Sequence, residues 1–374
     1  MMPERTIIDY KWLKIRYKET ADEEVTALLE KSVVGTPGRL RYSVQDIGKR
    51  LRYYEKSLSF ISYCKKDELI GVIGLCRRKT ESFGSVYDST FLRYLSVRTP
   101  FQISSAANRR KGRKKERSDQ SLKQKLFSLF IDPLKLPGVK DTNKPQTVYA
   151  CIEGENVRSR NFAGLAGYEH IRSICTISFS RFNPSPYHNV RRLSAAEEPA
   201  MAALIADFYK GYTFWHDQFT FLNHNYYVMM KGNEIIAGVS ALPTVFRIQE
   251  FPGIQGWILL NVMPYLPLMR KIFTPGEFRF LVLDYIYCRK GEEHLLPDLF
   301  ESVCASERHH SAVTWLDDRS DLFRAIRQMG RMGVLNKILK TSPGLIFASF
   351  PNFSNEEKKR FAESPVFMSG MDMA

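Results

Sequence analysis

The stretch Thr147-Val-Tyr-Ala-Cys-Ile-Glu153, Gly154-Glu-Asn-Val-Arg-Ser-Arg-Asn-Phe-Ala-Gly-Leu-Ala166, Gly167-Tyr168 decides how this chain folds. An apolar run of strand length gives way to a short helical stretch, a Gly-aromatic stop and a second strand from Ile171. A similar order returns at Ala312-Val-Thr-Trp-Leu-Asp-Asp318, Ser320 to Met329, Gly330 and Val334, where a strand is again expected. Gly167 and Gly330 lie 163 residues apart, so the chain reads as two copies of one unit. A length of 374 residues, enough for about two domains, agrees.

Upstream of the stretch, Leu13 to Tyr17 reads as a strand, and Asp22 caps a helix carrying Val25, Leu28 and Leu29. A helix is expected from Val44 to Lys56, then a hairpin of Leu58–Cys64 and Leu69–Arg77, then a strand from Thr90 to Val97. From Gln102 the chain turns polar and then strongly basic, with seven Lys/Arg between residues 109 and 117. Ser121 and Gln124 have capping-box spacing before an apolar helix that Pro133 ends. Asn183-Pro-Ser-Pro-Tyr-His-Asn189 divides the chain into an N-terminal domain, residues 1–184, and a C-terminal domain, residues 188–374. The order then restarts with a helix at Ala195–Phe208, a hairpin around Gly232-Asn233, and a long apolar strand, Arg279–Tyr287.

The net charge of +15 lies in the first half: residues 1–187 carry 35 Lys/Arg against 20 Asp/Glu, and the remainder 20 against 20. A basic half of this kind suits a polyanion, whether a phosphorylated co-substrate or nucleic acid. The six cysteines have no Cys-x-x-Cys or zinc spacing, so no metal is expected and free buried thiols are. No apolar run reaches the ~20 residues of a bilayer crossing. The nearest, Trp257 to Met269, is broken by Asn261, Pro264 and Pro267. With no apolar leader at the N-terminus, the expected location is the cytoplasm, with no membrane partner.

The order of strand, two helices, hairpin, central strand, basic-Gly loop, helix, strand, short helix and strand resembles the GNAT acyltransferase superfamily, in tandem over residues 10–182 and 188–350. The resemblance implies an α/β (α+β) chain of two GNAT-like domains, each a mixed, mostly antiparallel sheet flanked by helices. It implies an N-acyltransferase that moves an acyl group from acetyl-CoA or another acyl-CoA to the amine of a small molecule, peptide or protein. The family's phosphate loop follows its central strand, where backbone N–H groups and a helix N-terminus meet the pyrophosphate. Here Arg109, Arg110, Lys111, Gly112, Arg113 and Lys114 hold that place; the second copy offers Arg289-Lys-Gly291-Glu-Glu293, whose carboxylates repel phosphate. By the same resemblance, Leu95 and Val97 line the pantetheine and Asn156 or Asn161 touches it, although Asn156 serves equally as a helix cap.

The family reaction needs a base for the amine and an acid for the departing thiolate. The first copy's central strand, Thr90–Val97, has no carboxylate; Glu153 ends the next strand, and Ser159 stands where the family places a tyrosine acid. In the second copy Asp284 sits within an apolar strand, and a buried carboxylate is a functional candidate or a hydrogen-bonded structural one. The alternative is a catalytically degenerate pair that contacts nucleic acid or a protein through residues 109–117. The charged, then Met-rich segment from Asn355 to Ala374 carries no readable role.

Overall fold

The computed structural model describes residues 5–10, 13–54, 56–98, 136–137, 143–339 and 341–373. The basic loop 109–114 and the capping box at Ser121 lie outside the described residues.

Local signals set the element ends. Asp22 accepts the Val25 N–H at 2.9 Å and starts the helix Glu23–Glu30. Lys66 and Asp67, both with positive φ, make the two-residue turn that joins two strands in hairpin register. In the opening stretch Asn156 accepts from the Ser159 N–H at 3.0 Å and caps the helix Val157–Leu165, which Gly167 stops at φ +81°. The second copy repeats the device: Ser320 caps Asp321–Gln328, and Gly330 follows at φ +65°.

The strands are β1 (Arg5–Tyr10), β2 (Leu13–Lys18), β3 (Arg41–Val44), β4 (Leu58–Lys65), β5 (Glu68–Ser82), β6 (Ser85–Val97), β7 (Gln146–Glu153), β8 (Glu169–Ser180), β9 (Val190–Arg192), β10 (Tyr226–Lys231), β11 (Glu234–Glu250), β12 (Glu277–Cys288), β13 (Ser311–Asp317) and β14 (Gly344–Ser349). They form one sheet in the order β1-β2-β4-β5-β6-β7-β14-β8-β13-β12-β11-β10-β9, with β3 on β11. Among the described strands only β6–β7 and β12–β13 are parallel pairs.

Two expectations fail here. Val44 does not begin a helix: Arg41–Val44 pairs with β11 of the other copy, and the helix is Ile47–Tyr53. Val334 does not begin a strand either, because Val334–Ile338 is a helix whose Leu335 N–H donates to Ser180 Oγ. The second copy's last strand comes later, as β14, and it is exchanged. It lies between β7 and β8 of the first copy, while β8 crosses over to pair with β13.

The exchange fuses the two halves. Tyr54, Phe60, Phe91 and Tyr149 share a core with Tyr209, Phe214, Tyr285 and Phe361. Across the β8–β13 seam, Arg172 forks onto Asp317 at 2.8 and 2.7 Å with both side chains buried.

Candidate functional site

Each copy contains a place where its parallel pair comes apart. β6 and β7 are in register from Asp88–Gln146 to Leu92–Ala150; beyond that, β6 runs on to Val97 and β7 to Glu153 without pairing. β12 and β13 pair only at Leu281–Ala312 and Val282–Val313. Just past each last pair a tyrosine takes the left-handed conformation, Tyr94 at φ +53° and Tyr285 at φ +49°, and the register on the neighbouring hairpin strand slips. Such a bulge bends the strand away from its partner. It leaves facing backbone groups that need other partners, and an extended amide-bearing ligand or chain can supply them.

In the second splay, the chain's own C-terminal segment lies against the side chains of Asp317 and Asp284. The Val366 N–H donates to Asp317 Oδ2 at 2.8 Å. Ser369 Oγ and the Gly370 N–H donate to Asp284 Oδ2 at 2.6 and 2.8 Å, and the Tyr285 N–H donates to Asp284 Oδ1 at 2.9 Å. Val366, Phe367, Met368 and Met371 are buried. The space left beside Asp284 and Phe367 is about 10 Å³, the room of a single water. Burial raises the Asp284 carboxyl to about 6 despite the donors from Ser369, Tyr285 and Gly370.

The segment then reaches the first copy. Arg93, which like Asp284 immediately precedes the left-handed tyrosine, donates to the Met371 carbonyl at 3.2 Å. Asp372 is wholly buried: Arg78 stands 2.8 Å away, Arg93 3.4 Å and His216 3.7 Å, and Tyr54 donates to it at 2.9 Å. Burial pushes the Asp372 carboxyl up, but Arg78 and Arg93 outweigh it and hold the group well below the usual carboxylate range. His216 is lowered to about 4 by burial and by Arg78, with Asp372 opposing. A neutral imidazole fits its contacts, since Nε2 lies 2.5 Å from an Arg78 nitrogen and must accept. The Arg93 guanidinium also stacks 4.5 and 4.0 Å from the rings of Tyr54 and Tyr94.

The tail ends beside the first splay, where Arg93 of β6 holds the Met371 carbonyl and a Cβ at Gly344 would meet both the Cys151 thiol of β7 at 2.5 Å and Met373 at 3.4 Å. The loop of residues 31–40 crosses the mouth of this splay: Ser32 bonds Ser96 on β6, Thr36 donates to Glu153 on β7 at 2.6 Å, and Arg39 pairs with Glu155. Apolar side chains stand exposed around it. Leu95 is 64% exposed and Val97 38%, with Val157 at 57% and Leu165 at 75% on the helix after β7. Leu95 and Val97 stand at the end of β6, Glu153 ends β7, and Asn156 and Ser159 open the helix that follows it. Asn161 lies on the exposed face of the helix Val157–Leu165. Asp284 belongs to the other splay, under the tail. Among the described residues no group of His, Cys, Asp and Glu could hold a metal ion.

The reading from sequence missed Arg78, Arg93, His216 and Asp372. A signal was present, because Arg77-Arg78 follow directly on the apolar run Leu69–Cys76 and Arg93 stands between Phe91-Leu92 and Tyr94-Leu95. A guanidinium inside such a run needs a buried partner.

No family model matches the sequence, and no curated protein matches it. The likeness is one of structure. It extends to Saccharomyces cerevisiae N-myristoyltransferase with bound myristoyl-CoA, at TM-score 0.57 and 9% identity, covering 97% of this chain and 91% of that one. A second structure of the yeast enzyme, with myristoyl-CoA and inhibitors, gives 0.52 and 11%, covering 93% and 82%. A GCN5-related N-acetyltransferase from Anabaena variabilis gives 0.45 and 10%, covering 89% and 72%.

Proposed function

This chain has the tandem GNAT fold, and from that premise we propose that it is an N-acyltransferase using acetyl-CoA or a longer acyl-CoA, with its reaction in the first copy. The observation that carries the proposal is the contrast between the splays: the tail fills the second, while the first is bordered by exposed apolar side chains. In this reading the pantetheine lies along Arg93–Val97, its amides bonding the unpaired edges and its methylenes covering Leu95 and Val97. The basic loop, Arg109 to Lys114, takes the phosphates, as its sequence suits.

The acceptor arrives as an ammonium and must lose a proton before its lone pair can attack. Glu153, at the mouth, is proposed as the base, directly or through one water. The nitrogen then bonds the thioester carbon, the C–S bond breaks, and the thiolate takes a proton from Ser159 or from water, leaving an amide and free CoA. Arg78 and Arg93, buried beneath the splay, set a positive potential that favours the transient oxyanion. Asp284 holds the tail through both oxygens, so a catalytic part for it would require the tail to leave.

The test is thermal stability against acyl-CoA of increasing chain length. Binding raises the midpoint by mass action, by about 2.7 kcal/mol of stability at a hundredfold excess over Kd. Leu95→Glu, at a position exposed in the free protein, should abolish the shift and leave the unliganded midpoint unchanged. Absence of any shift at millimolar acyl-CoA overturns the proposal.

A further inference from the structure

Between β11 and β12 the chain makes an apolar excursion that the acyl-transfer reading does not use. It opens with the helix Gly253–Asn261 and continues through the short turns Met263–Tyr265 and Met269–Lys271. The inner face of the helix packs through Gly256 and Leu259, where a Cβ at Gly256 would meet the Phe251 carbonyl oxygen at 2.2 Å. The outer face should then be polar, as on an ordinary surface helix. It is not: Ile254 is 78% exposed and Trp257 59%, and the turns beyond add Tyr265 at 73%, Leu268 at 50% and Leu266 at 44%. A helix apolar on both sides is stable at a surface only if something covers the outside.

The charges say what. From residue 251 to 276 the charged side chains are Arg270 and Lys271, both exposed, with no carboxylate among them. A protein interface carries a rim of both signs around its apolar centre. Trp, Tyr, Leu and Ile beside bases alone is the composition of a segment lying in the headgroup layer of an anionic bilayer. None of the described helices is long and apolar enough to cross a membrane, and a segment that lies in the interface needs no such length. The expectation of no membrane partner rested on spanning length, which this surface does not require.

We propose that residues 253–271 form a membrane-docking surface that seats the protein on anionic lipid. The excursion leaves β11 at Glu250, which accepts from the Gly38 N–H at 3.1 Å and from Arg41 at 3.4 Å. Gly38 belongs to the loop that also crosses the mouth of the first splay, and Arg41 to the strand that follows it on β11, so docking and the open splay share one bracket. The inference stands without the acyl-transfer reading.

The test is sedimentation of the full chain with vesicles of phosphatidylcholine containing about a third phosphatidylserine. The wild type is expected to pellet with these vesicles and to bind pure phosphatidylcholine more weakly, with a blue shift of fluorescence that disappears in Trp257→Phe. Trp257→Ser/Leu266→Ser/Leu268→Ser should lower partitioning about tenfold or more with an unchanged melting curve. Arg270→Glu/Lys271→Glu should remove only the preference for anionic lipid. The proposal is overturned if the wild type stays in the supernatant, or if the triple variant pellets equally. It is also overturned if the triple substitution abolishes a concentration-dependent dimer of a protein that ignores vesicles, since a second copy would then be the cover.

Discussion

Replacing Asp372 by Asn tests whether the tail is held by charge. The amide keeps the shape and the acceptor for Tyr54, but leaves Arg78 and Arg93 buried without their carboxylate. Breaking a buried pair in this way costs about 3–5 kcal/mol. The strain could be relieved by releasing the tail, so the cost of release sets the ceiling. Val366, Phe367, Met368 and Met371 are each no more than 5% exposed. At about 1.5–3 kcal/mol per buried apolar side chain, releasing them costs roughly 6–12 kcal/mol as an upper figure. With the tail seated, the full 3–5 kcal/mol should appear in global unfolding. Urea unfolding followed by circular dichroism reads this loss, and carboxypeptidase digestion reports whether residues 365–373 remain protected. Removing the pair together, as Arg78→Met/Asp372→Leu, should recover about half of the loss or more. An Asp372→Asn protein with a protected tail and a stability within about 1 kcal/mol of wild type would refute the electrostatic account.

Other consequences can be checked separately. His216, lowered to about 4 from 6.5, contributes stability that is full above pH 6.5 and lost as pH falls towards 4. Asp284, raised to about 6 from 3.8, contributes stability that is full below pH 3.8 and lost as pH rises through 6. The two slopes oppose each other in wild type; His216→Gln should expose the second alone, a loss of about 2–3 kcal/mol between pH 4 and 7, and a flat profile in that variant counts against it. Arg172→Met strands Asp317 in the β8–β13 seam and should cost about 3–5 kcal/mol in urea unfolding; a loss below about 1 would mean the fork is spare. Asn156→Ala should cost about 1 kcal/mol and Asn156→Asp almost nothing if the residue is a cap, whereas a loss of acyl-CoA affinity at unchanged stability would make it a ligand contact.

What the sequence disclosed was what neighbours decide. Asp22, Asn156 and Ser320 bond backbone three residues on, and Gly167 and Gly330 take a backbone conformation that favours glycine, so caps and stops could be read directly. The two misread elements answer to distant partners. Arg41–Val44 is a strand because β11 offers an edge some two hundred residues later, and Gly333 lies so close to the Ser180 carbonyl that a Cβ would meet it at 2.1 Å. The candidate site divides along the same line. Glu153 and Ser159 are expected from their place in a local unit, while Asp372 sits in a Met-rich tail whose partners, Arg78 and Arg93, are about three hundred residues upstream.

The exchange of last strands carries a consequence for synthesis. β7 forms one arm of the open splay, yet its outer edge is completed only by β14. Nearly two hundred residues separate Glu153 from Gly344. At about 5–20 residues per second, a nascent chain holds that edge uncovered for roughly 10–40 seconds, during which it invites pairing with any other strand. The same delay works as a completeness check. A chain that terminates before Gly344 lacks the strand that closes β7, however well its own first half has been translated.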